Sequence, residues 1–452
     1  MNALAALRAL RPASLPPEAP VLVWAPSPRG LDLARLVAPG DPWVSWSPAG
    51  DPTAWHIAGA GAAWTHRADT LAALRGSSLG RLRETVVVRD PTVPEAPEAR
   101  VFFGARFDPG DVRPDPAWEG FPGAWAVAPR VLLARRGDTL LLGWQGTAHD
   151  LDALSSLPDH PAAATEAPGP WTPRPDPEAL PRWTALVEAA LAAFVDHTLE
   201  KVVAARREAL EAPGTPGTGS VPSAVLAALE GALEGREGVA FGMCPGHGAG
   251  VLLGATPECL VRRRGDRVEA DALAGSVPRG EGGEGEALRR SDKDLREHGL
   301  VRDAVVAALG SWCTGVSFPP EPAVRVLPTV LHLSTRVTGV LRDPEAGDVL
   351  ALVGALHPTP AVCGTPQAAA RAFIAAHEPV PRGWYAGPVG WCGASGEGEA
   401  MVALRSGVVR GGRAWAYAGA GLVRGSDPGW EWRETEAKLG PMRAALRGSG
   451  AR

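Results

Sequence analysis

Residues Arg413-Ala414-Trp415-Ala416-Tyr417-Ala418-Gly419-Ala420-Gly421 read as a strand followed by a run of small residues. Soon after comes Asp427-Pro428-Gly429-Trp430-Glu431-Trp432-Arg433-Glu434-Thr435-Glu436-Ala437-Lys438, which reads as a helix. Asp427 is an N-cap residue type, and Pro428 suits the first turn. Upstream, Met401 to Val409 and Arg413 to Ala418 flank Gly411-Gly412, a hairpin signature. Antiparallel strands feeding a capped helix set the expectation of a mixed α and β fold. On that helix Glu431, Glu434 and Lys438 share one face. Two acids three apart repel unless something positive lies between them. Lys438 is a partial answer and a bound cation a fuller one, although a solvated acidic face accounts for the pattern as well.

A second helix is expected over Asp292 to Leu309, and it sharpens the question. Glu297 falls on the stripe of Val301, Val305 and Leu309. A carboxylate on a buried stripe is costly unless paired or metal-bound. Arginine is one candidate partner. A hard cation is the other, and oxygen-only ligands suit Mg2+. The chain holds 45 Lys+Arg but only three lysines, Lys201, Lys293 and Lys438. Arg is a wide fork that stays charged, whereas Lys is compact and can work as a neutral amine. The three lysines therefore mark places where Arg does not serve, unless they are chance leftovers of a codon bias.

With 452 residues the chain can bury a large core, and a net charge of −5 gives no reason to expect a nucleic-acid partner. Five scattered cysteines form no CxxC pair and no zinc spacing, so reduced thiols in a cytoplasm are the expectation. No apolar run approaches a membrane span, and the apolar stretch from Ala3 to Leu10 is too short for a signal sequence. Residues 1–157 read as strands of an antiparallel sheet with Trp as core filler, for example Val21 to Trp24, Thr85 to Val88, Val131 to Leu133 and Leu140 to Leu142. Prolines from Pro158 to Pro181 mark a connection that is neither helix nor central strand. A helix over Arg182 to His197 follows, then a strand at Val202 to Ala205 with Lys201 at its start. Residues Glu211 to Pro222 and Arg279 to Glu284 read as loops.

Smaller signals surround these elements. The run Ala418 to Gly421 lets backbone N–H groups approach an anion, or merely permits tight packing. Gly275-Ser276 is a similar site. Arg405 interrupts an alternating strand and either clamps a carboxylate or faces water. His332, His357 and Glu258 sit beside strands or turns, where a lone histidine more often fills a satisfied core role.

Taken together, these segments resemble the chorismate-utilising enzymes, a family that includes isochorismate synthase, salicylate synthase and the large subunits of anthranilate and aminodeoxychorismate synthases. The matching stretches include Glu200-Lys201-Val202-Val203, Gly254-Ala255-Thr256-Pro257-Glu258, Leu273-Ala274-Gly275-Ser276 and Lys293-Asp294-Leu295-Arg296-Glu297-His298. Leu331-His332-Leu333, Leu356 to Gly364, Gly387 to Trp391, Ala418 to Gly421 and Glu431 to Thr435 follow in order. The match covers roughly residues 182–445. It implies an α+β sandwich of large antiparallel sheets with outer helices. Residues 1–180 would form a variable strand-rich region joining the same sandwich, and 181–445 the chorismate-binding catalytic domain.

Three positions discriminate within the family. Lys201 stands where isochorismate and salicylate synthases carry a water-activating lysine. Ala274 stands where aminodeoxychorismate synthases carry a nucleophilic lysine. Ala361 stands where salicylate-forming enzymes tend to carry Thr. The resemblance thus implies an isochorismate synthase of the menaquinone type, a monomer or homodimer without a glutamine amidotransferase partner. Glu297 and Glu434 would hold Mg2+ with help from Glu431, and Lys201 and Glu258 would be base and acid. Gly275, Ser276, Gly419 and Gly421 would seat carboxylates beside Ala361, Arg405 and Lys438 would hold the enolpyruvyl arm, and His332 would be a hydrogen-bond donor. Salicylate synthase and a silent chorismate-binding protein are the competing readings.

Overall fold

The computed structural model describes residues 3–11, 14–28, 31, 40–154, 171–212, 223–246, 248–280 and 282–448. The expected proline connection at 158–170 and most of the loop before Pro222 lie outside the described residues. Among the described residues the strands form a 13-stranded and a 10-stranded sheet. Each sheet mixes strands from both ends of the chain. In the larger, Lys201–Glu211, Arg413–Val423, Ser406–Arg410, Val251–Thr256 and Gly238–Cys244 run on into Trp43–Ala49, His56–Ala60 and Val131–Arg136. In the smaller, Val330–Leu341, Arg267–Pro278, Cys259–Arg264, Gly398–Val402 and Pro388–Gly393 continue into Arg100–Ala105.

Pairing is antiparallel except at one edge, where Pro20–Pro26 and Val86–Arg89 run parallel. The expectation of purely antiparallel strands in the first third is corrected there. Trp24, Trp46, Trp125, Phe102 and Phe103 are fully or almost fully buried in one apolar cluster. Burial of this kind contributes roughly 25 cal/mol per Å2 of apolar surface.

Three local readings differ from the structure. The strand expected over Met401 to Val409 is two strands, Gly398–Val402 in the smaller sheet and Ser406–Arg410 in the larger. The chain crosses between sheets at Ala403 to Arg405, and Arg405 takes a φ of 48°. Alternation of side chains does not see such a crossing, because it fits either sheet. Next, Ala418 to Gly421 do not follow a strand but lie inside Arg413–Val423. Finally, Pro181 sits in the first turn of the helix Ala179–Val195, where its missing N–H costs nothing.

Two long helices place the site. Asp292–Trp312 is capped by Ser291, whose side chain accepts from the Asp294 N–H, and buries Glu297, His298, Val301, Val305 and Leu309. Pro428–Gly448 packs on the strand Arg413–Val423. His298 ties the first helix to the smaller sheet, its ring nitrogens lying 3.3 Å from the Ala274 carbonyl and 2.7 Å from Thr335 Oγ1.

A buried ion pair locks the Lys201 strand to its neighbouring loop. Arg382 donates to the carbonyls of Val203 (2.6 Å) and Val362 (2.7 Å) and to the Glu378 carboxylate (2.9 Å). Glu378 in turn accepts from the Ala205 N–H at 2.8 Å. Both side chains are about 4% exposed. Removing one partner leaves an uncompensated buried charge. Arg382→Met is therefore expected to cost about 3–5 kcal/mol, read as a lower urea midpoint; an unchanged midpoint would count against this role.

Candidate active site

Lys201 begins its strand and is 0% exposed, so its ammonium must find a partner inside the protein. That partner is Glu297, with Nζ and Oε1 3.0 Å apart. Glu297 reaches the sheet because Gly421 is opposite. A methyl group at Gly421 would lie 2.1 Å from Glu297 Oε1. Gly421 thus makes room for an acid, and it also lines the cavity described next. Gly275 has a different reason. It sits at a bulge between Ala274 and Ser276 with φ of 75°, and its Cβ would press on the Asp294 carbonyl at 3.0 Å.

The other two lysines repeat the pattern. Lys293 Nζ lies 2.9 Å from Glu431 Oε1, and Lys438 Nζ lies 2.5 Å from Glu434 Oε1. Lys438 also donates to the Gly419 carbonyl at 2.9 Å, and Ser276 Oγ donates to Glu434 at 2.7 Å. All three lysines of the chain are thus paired to the three acids expected to hold a cation, Glu297, Glu431 and Glu434. Burial, with Glu434 beside it, pushes the Glu431 carboxyl up to about 7, while Lys293 pulls the other way.

In front of these pairs lies a cavity of about 60 Å3. Of the expected residues, Glu258, Gly275, Ser276, Glu297, His332, Ala361, Arg405, Gly419, Gly421 and Lys438 line it. Lys201, Glu431 and Glu434 are absent from its wall. The space is far below the roughly 300 Å3 of a small-molecule pocket.

Glu258 is 3% exposed, in the connection from the larger sheet to the smaller. Burial, with Asp271 adding to it, pushes its carboxyl up to about 8. Arg405 is half-buried, and the loss of solvent around its guanidinium pushes it down to about 10. Its Nη2 donates to His332 Nε2 at 2.9 Å, while Nη1 is buried without a partner. The alternative that Arg405 faces water therefore fails. An orphaned guanidinium nitrogen on a cavity wall fits a carboxylate ligand. His332 is held well below the usual imidazole range, chiefly by burial and by Arg405. Its Nε2 accepts from Arg405, while the ring also hydrogen-bonds to the Gly275 backbone. His357, left open above, is a core residue, its Nε2 3.0 Å from the Phe107 carbonyl.

Sequence reasoning missed Arg382, Tyr385 and Tyr417 on the wall. The two tyrosine rings stack at 5.1 Å, and burial pushes the Tyr385 phenol up to about 12. The signal was available. These are the chain's two tyrosines, as scarce as its lysines.

The residues fit a hard cation, although among the described residues no group of three acids, histidines or cysteines is close enough to hold one. The donors are carboxylates alone, two helices supply them, and Mg2+ needs only one or two, completing its shell with water and ligand oxygens.

A family profile described as chorismate binding enzyme matches residues 50–447. The chain belongs to the chorismate-binding enzymes. It is 36% identical over 381 residues to the "Salicylate biosynthesis isochorismate synthase" of Pseudomonas aeruginosa, covering 80% of this chain and 76% of that protein. It is 32% identical over 364 residues to the isochorismate synthase MenF of Bacillus subtilis, covering 77% and 74%. Among solved structures, the menaquinone-specific isochorismate synthase MenF of Escherichia coli superposes with a TM-score of 0.73 at 28% identity, over 98% of this chain and 100% of that one. The sheets and outer helices are those of this family. No helix among the described residues is long and apolar enough to cross a membrane.

The dry setting of Glu258 is directly measurable. In carboxyl-labelled protein, the resonance lost in Glu258→Gln is expected to titrate near 8; a midpoint near 4.5 would overturn the assignment. The sign also follows for stability. A folded value above the ordinary 4.5 makes this group's contribution full below about 4.5 and lost as pH rises through about 8.

Proposed function

We propose that the protein is an isochorismate synthase, converting chorismate reversibly to isochorismate with Mg2+, and that Lys201, Glu258 and Arg405 carry the reaction. The observation that carries the reading is the pairing of a carboxyl kept protonated to about 8 with a buried guanidinium nitrogen free to bind a carboxylate, in one cavity. Likeness to several isochorismate synthases supports it.

Glu297 and Glu434, with Glu431 close by, would hold Mg2+, which would supply a positive anchor for the ring carboxylate. Lys201 Nζ, beside Glu297, would work as the base in its neutral form, which a lysine can reach and an arginine does not. Lys201 then takes a proton from water as its oxygen bonds to ring carbon C2. The double bonds shift, and the C4–oxygen bond breaks. Glu258 gives that oxygen its proton, so one water enters and one leaves. Arg405 and Lys438 hold the enolpyruvyl carboxylate, and the small side chain of Ala361 leaves that arm room. All these groups fall within residues 181–445. Cytoplasmic action without an amidotransferase partner, as monomer or homodimer, belongs to the same proposal.

Pyruvate elimination to salicylate is the second reading, favoured by the name of the relative from Pseudomonas aeruginosa. The menaquinone role rests on the likeness to the two MenF proteins.

Purified protein with chorismate and Mg2+ should yield isochorismate alone, lost on adding EDTA. Salicylate with pyruvate would move the assignment to the second reading, and unchanged chorismate would make the protein a silent binder. Lys201→Gln should lower turnover at least about 100-fold, the scale of a general base, while the variant still binds chorismate. The value of kcat/KM should fall as pH rises through about 8, because Glu258 loses the proton it must donate; a limb that survives in Glu258→Gln would belong to another group.

A further inference from the structure

Another cavity, of about 20 Å3, adjoins the first, with Pro257 on the wall of both. It has room for about one water and no ligand. Its wall is nonetheless built largely of charges, which pair among themselves. Asp271, from the strand Arg267–Pro278, holds two arginines: Arg325 Nη1 lies 3.0 Å from Oδ2, and Arg336 Nε lies 3.3 Å from Oδ1. Arg336 reaches on to Glu237 at 2.7 Å, and Arg262 lies 3.7 Å from Glu269. The Asp271 side chain is only 3% exposed, so this anion is held inside the protein. Stability alone is a weak reason to bury it, since apolar side chains of similar volume often serve as well.

What the cluster touches is the passage that carries Glu258. Thr256-Pro257-Glu258 takes the chain from the larger sheet to the smaller, and Pro257 has no N–H to anchor it there. Arg325 Nη1 donates to the Pro257 carbonyl at 2.8 Å, and the same nitrogen meets Asp271. The carbonyl is thus tied to Arg325, while Glu258, the next residue, lines the first cavity. Arg325 sits on the short strand Ala323–Val326, opposite His332, which lines the first cavity as well. Charge acts at the same place. Burial is the main cause of the raised Glu258 value and Asp271 the next, while Lys201, Lys438 and Arg325 pull the other way. Arg405 and Tyr385 lie within electrostatic reach of Glu258, and Glu297 and His332 share its cavity.

We propose that Arg325 and Asp271 are positioning residues for Glu258: Arg325 fixes the passage that carries it, and Asp271 holds that arginine while keeping a negative charge near the carboxyl. The proposal rests on Glu258 as the acid of the reaction proposed above. In carboxyl-labelled protein without substrate, Asp271→Asn should lower the Glu258 midpoint by at least about half a pH unit, and the alkaline limb of kcat/KM should move with it. Arg336→Met removes the other cation beside Asp271 from a partly exposed site and should move the midpoint up, which keeps the test open should Asp271→Asn fail to fold. Arg325→Met should lower kcat about tenfold or more with KM nearly unchanged, the cost of a misplaced acid, and Arg325→Lys, which keeps a donor, should recover part of the loss. A Glu258 midpoint unmoved in both Asp271→Asn and Arg336→Met, or a wild-type kcat in Arg325→Met, would overturn the proposal. A wild-type protein that leaves chorismate unchanged would instead count against the reading of the first cavity, while the midpoints, read without turnover, still decide this one.

Discussion

Each lysine of this chain neutralises one buried glutamate, and the site stands on these three pairs. An unpaired carboxylate at any of the three positions would cost several kcal/mol. The pairs also form a circuit. Lys201 ties the larger sheet to the helix Asp292–Trp312, and Lys293 ties that helix to Pro428–Gly448. Lys438 returns from there to the sheet through the Gly419 carbonyl. Charge balance and the placement of two helices are therefore one constraint, satisfied by the same six side chains.

That circuit sets what the sheet can present. The long strands around it are lined with Gly and Ala because helix side chains must come close to them. Gly421 admits the Glu297 carboxylate, and Gly275 admits the Asp294 backbone. Of the six paired side chains, Glu297 and Lys438 reach the wall of the cavity.

Much of this was legible in the sequence. Lys201, Lys293 and Lys438 stood out by scarcity, and Glu297 by its place on an apolar stripe. The i,i+4 pair of Lys438 with Glu434 was legible, but the other two pairings were not, because nothing local joins Lys293 to Glu431 across 138 positions. Arg405 was misplaced for another reason. The residues around it alternate as a strand would, yet the chain changes sheets there through a left-handed residue. The space that Gly421 leaves for Glu297 was not legible, since a glycine's sequence context does not say which neighbour needs the space. Tyr385 and Tyr417 were overlooked although the scarcity argument applied to them equally.

Glu258 and Arg405 share an unusual position, for each stands where the chain passes from one sheet to the other. The two passages are also stitched together. Thr256 Oγ1 donates to the Val402 carbonyl at 2.6 Å, the Val402 N–H to the Glu258 carbonyl at 3.0 Å, and the Ala255 N–H to the Arg405 carbonyl at 3.3 Å. Sliding of one sheet over the other would therefore carry acid and guanidinium as a single rigid splice. The gap between the two groups is thus set by hydrogen bonds to backbone carbonyls between the two passages.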